Sequence, residues 1–147
     1  MNATLPLVED PSARRTTLLS KRSVAAWLPA LVWAGLIFAF SAREDLTFFP
    51  DQSLDFVVRK LGHMVIFGVL TILLWRALAG TTTLRRPWAW ALALTILYAI
   101  TDELHQAFVP GRTASGQDVG IDAAGALIAV AIVGFVGARW LRRHVRP

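Results

Sequence analysis

Asp102, Glu103 and Gln106 lie within six residues of one another in TDELHQ, and Asp118 and Asp122 follow one helical step apart in DVGID. Clustered carboxylates can serve as general acid and general base, and Asp102, Glu103 and Asp118 are the candidate catalytic groups. Lys60 and His63, three residues apart, and Arg59, four before His63, can supply counter-charge. Arg112 has a planar fork that can clasp a carboxylate or a ligand phosphate in two places. These residues define a candidate ligand site: Lys60, His63, Asp102, Glu103, Gln106, Arg112, Asp118 and Asp122. Ser41 and Ser115 have no base and orienter at recognisable spacing, so no serine nucleophile is expected. If a cation were held, this oxygen-rich set would favour Mg²⁺, Mn²⁺ or Ca²⁺ over Zn²⁺. No metal-ligand spacing such as HExxH is present, so no metal site and no cofactor is expected, a divalent cation being the one group left open.

The elements that must carry these residues are apolar. The chain has 147 residues, 55% hydrophobic and 17% charged, with a mean hydropathy of +0.52. Soluble domains average about 45–50% apolar and about 25% charged. The absence of cysteine excludes a disulfide scaffold, a thiolate metal site and a cysteine nucleophile. Four apolar runs stand out: Val24–Phe40, about Leu61–Leu78, a third opening at Pro87, and about Val119–Ala138. Each reaches or approaches the roughly 20 residues that cross a bilayer as a helix. Strands alone cannot satisfy their backbones in lipid, and nothing here alternates like a barrel. The expected fold is all-α: a four-helix transmembrane bundle over residues 23–139, with a disordered tail at 1–22 and a basic tail at 140–147.

Charge sets the orientation. Arg14, Arg15, Lys21, Arg22, Arg76, Arg85, Arg86, Arg139, Arg142, Arg143 and Arg146 fall on one side, eleven of the fifteen Lys and Arg. The positive-inside rule places that side, and both termini, in the cytoplasm. Trp75, Trp88, Trp90 and Trp140 fall where a cytoplasmic interfacial belt belongs. The basic balance is thereby explained by topology, and no nucleic-acid partner is expected. A cleaved signal peptide is the competing reading of Val24–Phe40, but that run exceeds the usual apolar core of about 7–15 residues.

The polar residues then share one depth. At 1.5 Å per residue, Asp102 lies ~22 Å from Pro87, His63 ~22 Å from Leu78, Asp122 ~24 Å from Ala138 and Ser41 ~25 Å from Val24. Four helices deliver polar groups to one layer in the outer third of the membrane. On the third helix Asp102 and Gln106 are about 40° apart, and Glu103 and Gln106 about 60°. On the fourth, Asp118, Asp122, Gly125 and Ala129 form one stripe, acidic above and small below, and small residues let helices approach closely. Asp55 and Arg59 are expected to pair at the interface. His105 is expected as an interfacial hydrogen-bond partner rather than a ligand, and His144 as a solvated tail residue.

Phe40-Ser41, Lys60-x-x-His63, Asp102-Glu103-x-x-Gln106-x-Phe108-x-Pro110-Gly111-Arg112 and Asp118-x-x-x-Asp122-x-x-Gly125 resemble the VanZ-like family in order and spacing. The resemblance covers about residues 24–138 and is most specific from Asp102 to Gly125. One position departs from the commonest pattern: Asn often stands where this chain has Asp122. The resemblance implies a small polytopic protein of the bacterial cytoplasmic membrane, in a family whose founding member is associated with low-level teicoplanin resistance. Three roles are consistent with these residues. The first is an envelope-accessory protein that binds a lipid-linked envelope intermediate or a glycopeptide. The second is a membrane-embedded enzyme acting on a lipid headgroup or lipid-linked glycan. The third is a proton-linked carrier, to which four helices without a repeat are poorly suited. The sequence leaves the oligomeric state open.

Overall fold

The computed structural model describes residues 11–43, 48–110 and 115–144, and of 11–21 and 137–144 the backbone alone. The described residues form four helices and no strand: α1 (Pro11–Ser41), α2 (Gln52–Thr81), α3 (Pro87–Gln106) and α4 (Gly116–His144). Each contains one of the four apolar runs, but three extend well beyond them. α1 opens at Pro11, inside the stretch expected to be a tail, with proline at the first helical position, where its missing N–H costs nothing. α2 starts at Gln52, ahead of the apolar run, because Asp51 caps it by accepting a hydrogen bond from the Leu54 N–H at 2.9 Å. α4 runs on to His144, through the basic segment.

Three helices are long and apolar enough to cross a membrane: Arg22–Ser41, Gln52–Thr81 and Gly116–Val136. α3 falls short of that standard. It has 20 residues, but its last turns carry Asp102, Glu103, His105 and Gln106.

α2 is the hub, packing against α1, α3 and α4, while α3 also packs on α4 and touches α1 lightly. Among the described residues α1 and α4 do not meet. The core is a small patch of Ile37, Phe67, Leu70 and Ala99, flanked by Trp33, Ala34, Ile66, Leu74, Tyr98 and Val119. Most large apolar side chains face outward instead. Only 11% of the apolar window of α1 is buried, against 33% for α2. Such an exposed apolar surface is the mark of a protein whose solvent is lipid.

Without a hydrophobic drive between helices in lipid, close contact and hydrogen bonds must hold them. Gly68 and Gly125 supply the contact. A Cβ at Gly68 would lie 3.2 Å from the Gly125 carbonyl oxygen, and one at Gly125 would run into the Met64 backbone. Hydrogen bonds join α1 to α2, α1 to α3 and α2 to α3. Trp33 donates to the Ile66 carbonyl at 2.9 Å, Tyr98 to the Ala34 carbonyl at 2.6 Å, and the Thr71 and Thr95 hydroxyls pair at 3.0 Å. At the opposite end of the bundle, Trp27 donates to the Thr81 hydroxyl at 3.1 Å.

Candidate functional site

The site is assembled where α1 and α3 end and α4 begins. α3 stops at Gln106 because Pro110 follows within a turn; Ala107, Phe108 and Val109 close the helix on the carbonyls of Glu103, His105 and Gln106. α4 starts after Ser115, whose carbonyl accepts from the Asp118 N–H at 2.9 Å. The Ser115 N–H in turn donates to the Glu103 carboxylate, tying the start of α4 to the end of α3. Glu103 therefore has a structural bond as well as a place in the acidic layer.

Asp102 is 2% exposed, and its Oδ2 accepts from the Ser41 hydroxyl at 2.8 Å and from Gln106 Nε2 at 2.9 Å. Those two bonds join α1 to α3. Lys60 bonds to Asp118 and His63 Nδ1 lies 3.3 Å from Asp122 Oδ1, joining α2 to α4. All four helices thus contribute to the layer, in two sets of bonds, one joining α1 to α3 and the other α2 to α4. The Lys60–Asp118 pair is partly open, with side chains 24% and 20% exposed, and His63 is half-buried beside it. Asp102, Glu103, Gln106 and Asp122 lie behind them, buried.

Among the described residues, four buried polar atoms have no hydrogen-bond partner within the protein: Asp102 Oδ1, Asp122 Oδ1, His63 Nδ1 and His105 Nε2. The His63–Asp122 approach is within ion-pair reach yet outside hydrogen-bond geometry. An unsatisfied buried polar group costs roughly 1–3 kcal/mol, and more when charged. Two unsatisfied carboxylate oxygens in one layer are not what packing alone would select. Among the described residues no group of three or more His, Cys, Asp or Glu is arranged to hold a metal ion.

Seven of the eight residues read from sequence fall in this layer, while Arg112 lies outside the described residues. Ser41, noted for its depth alone, proves to be a direct partner of Asp102. Arg59, one candidate for counter-charge to the acidic residues, is instead bound through Nε to Asp55 at 2.8 Å, one turn back, the pairing expected for these two. One expectation needs correction. His105 is not an interfacial hydrogen-bond partner through Nε2; its ring stacks on Phe38 with centroids 4.3 Å apart. Asp55 also does more than pair at an interface. It is 3% exposed and accepts from the Phe48 and Phe49 backbone N–H groups at 2.6 and 3.2 Å, folding the end of the α1–α2 connection onto α2. The i, i+4 spacing of Asp55 and Arg59 signalled the pair; nothing in the sequence signalled the backbone donors.

Residues 8–137 match the VanZ/LLP1 family. The chain belongs to that family. The match spans every layer residue, from Ser41 through Asp122, and the four apolar runs up to residue 137. No curated protein and no solved structure matches the chain. For a VanZ/LLP1 protein of this architecture, the layer offers buried proton acceptors, a partly open Lys–Asp pair and an imidazole, set at one end of a bundle with apolar outer faces.

Proposed function

We propose that this VanZ/LLP1 chain is a multi-pass protein of the bacterial cytoplasmic membrane, with all four helices crossing and both termini cytoplasmic. Its polar layer faces the extracytoplasmic side and receives an envelope ligand, a lipid-linked intermediate or a glycopeptide. In the cell that binding serves tolerance to teicoplanin-type glycopeptides. One observation carries this reading: two buried carboxylates each keep an oxygen without a donor, in a layer to which every helix contributes. Ionisable groups inside a membrane protein are costly and concentrate at functional sites. A purely structural layer would have been cheaper with its donors and acceptors matched. The positive-inside asymmetry supports the assignment of sides.

Glu103→Gln tests this reading. The amide oxygen can still accept from the Ser115 N–H, so the α3–α4 tie survives while the charge is lost. Expressed in a bacterium lacking other glycopeptide-resistance determinants, the wild-type chain is expected to raise the inhibitory concentration of teicoplanin. The variant is expected to lose that effect at equal membrane abundance. Equal tolerance from both chains, or none from either, would overturn the reading.

A further inference from the structure

We propose that the basic end of the bundle, opposite the polar layer, binds the headgroup of an anionic phospholipid through Arg22, Arg76, Arg85 and Arg86. The inference rests on the chain spanning a membrane, and not on what the polar layer receives. The bonds Trp27–Thr81, Ser41–Asp102 and Lys60–Asp118 run the helices alternately up and down, so α1 and α3 begin where α2 and α4 end. Trp27 and Thr81 share a level at that end. Arg22 lies about 7.5 Å beyond this level along α1, and the α2–α3 connection supplies Arg85 and Arg86. All three are exposed. Of the eleven cations at this end, none of the four named takes part in an ion pair among the described residues. Glu9 and Asp10 are the only acids that the sequence sets there, and pairing both would leave nine cations without one.

Topology asks only for basic residues in the segments that flank the spans, and Arg85 and Arg86 already meet that need. Arg76 is different. It lies inside the apolar run LTILLWRALAG, about 7.5 Å before the end of α2 at Thr81, and it is exposed. Charged residues within a span almost always face the bundle interior or a water-filled cavity. One that faces lipid runs its stem to the interface, and its charge needs a partner there. The carboxylates of the described helices all lie toward the opposite end, so no helix supplies one. At that depth the bilayer itself offers the headgroup phosphate, two of whose oxygens the guanidinium fork can take. Trp88 and Trp90, 39% and 54% exposed at the start of α3, mark the headgroup level on the neighbouring helix. A zwitterionic headgroup brings its own cation into this field of arginines and is repelled through it. A headgroup of net negative charge is not, and this selects the anionic lipid.

Tryptophan fluorescence reads this end, because five of the six tryptophans, all but Trp33, lie toward it. The full-length chain is reconstituted in dioleoylphosphatidylcholine bilayers, and brominated phosphatidylglycerol is compared with brominated phosphatidylcholine as the quencher. The expected result is a preference of about fivefold for phosphatidylglycerol, the effect of roughly one arginine at an anionic surface. Arg76→Gln, and Arg85→Gln combined with Arg86→Gln, should each lower that preference by about half or more. Arg76→Lys, which keeps the charge without the fork, should retain more of it than Arg76→Gln. Arg43→Gln removes the same charge just past the other end of α1 and should leave the preference unchanged. An unchanged elution profile on size exclusion checks that each variant is folded. Equal quenching by the two lipids, or a preference that survives the Arg76 and Arg85–Arg86 substitutions, overturns the assignment. An equal fall with Arg43→Gln overturns it too, since net charge and not this end would then set the preference. The tolerance test with Glu103→Gln decides the reading of the polar layer separately.

Discussion

Gly125 of α4 lies against the Met64 backbone of α2, one turn along from Asp122, which faces His63, the residue before Met64. The tightest helix contact and the acid–imidazole pair are thus adjacent steps of one interface. Close approach at Gly125 brings the α2 and α4 backbones near enough for a short aspartate to reach the imidazole. A larger residue at this glycine would separate the two elements that build the layer.

Gly125→Leu should therefore lower folded yield in detergent sharply, since the neighbour it meets is backbone and cannot turn away. Gly134→Leu is the matched control, because a Cβ there meets nothing within 4 Å. Monodisperse protein recovered by size exclusion measures both. Equal losses would show that the α2–α4 contact is misplaced.

Ser41→Ala removes one of the two donors to Asp102 Oδ2 and leaves Gln106 alone with it. The expected cost is about 1–3 kcal/mol, that of leaving a buried acceptor short of a donor. It should appear as a lower midpoint of thermal unfolding in detergent. Ser41→Thr, which keeps the hydroxyl, should recover most of the loss. An unchanged midpoint for Ser41→Ala would mean that this hydrogen bond contributes nothing to joining α1 and α3.

Asp55→Ala leaves the Phe48 and Phe49 N–H groups without their acceptor and frees Arg59. Protease sensitivity should rise in the α1–α2 connection, while Leu54→Ala, at an exposed position on the same turn, should leave it unchanged. Equal digestion of the Asp55→Ala and wild-type chains would show that Asp55 does not hold this connection.

Reporter fusions at Met1 and Pro147 should read as cytoplasmic, and insertions near Phe49 and Ser115 as external. The eleven basic residues on one side motivate this orientation. A C-terminal reporter found outside would overturn the four-crossing topology, and with it the crossing of α3, the helix that is not among the three long and apolar enough to span.

The helices were legible because each rests on a long local pattern. The run from Val24 to Phe40 needs no partner to declare itself, and neither does Pro87 as the start of α3. Their ends were less so. Asp51 and Pro11 extend α2 and α1 through polar sequence, where hydropathy carries no signal and capping decides. The acidic layer was also readable, because constant rise per residue converts sequence distance into depth. Its residues could be placed at one level before any contact was known.

Pairing within that layer was a different matter. Helical phase was enough to set Arg59 beside Asp55, but only the fold shows that Asp55 also takes the Phe48 and Phe49 N–H groups. Ser41 could be set at the right depth without being set against Asp102, since that bond spans 61 positions and depends on how α1 meets α3. The sequence by itself determined an all-helical family member, the apolar faces and the height of its polar residues, because hydropathy and helical rise are local properties. The tertiary structure alone decided which donor serves which carboxylate and which oxygens are left without one. Those outcomes depend on the rotation and spacing of four helices relative to one another, set here by the Gly125–Met64 contact and the hydrogen bonds between helices.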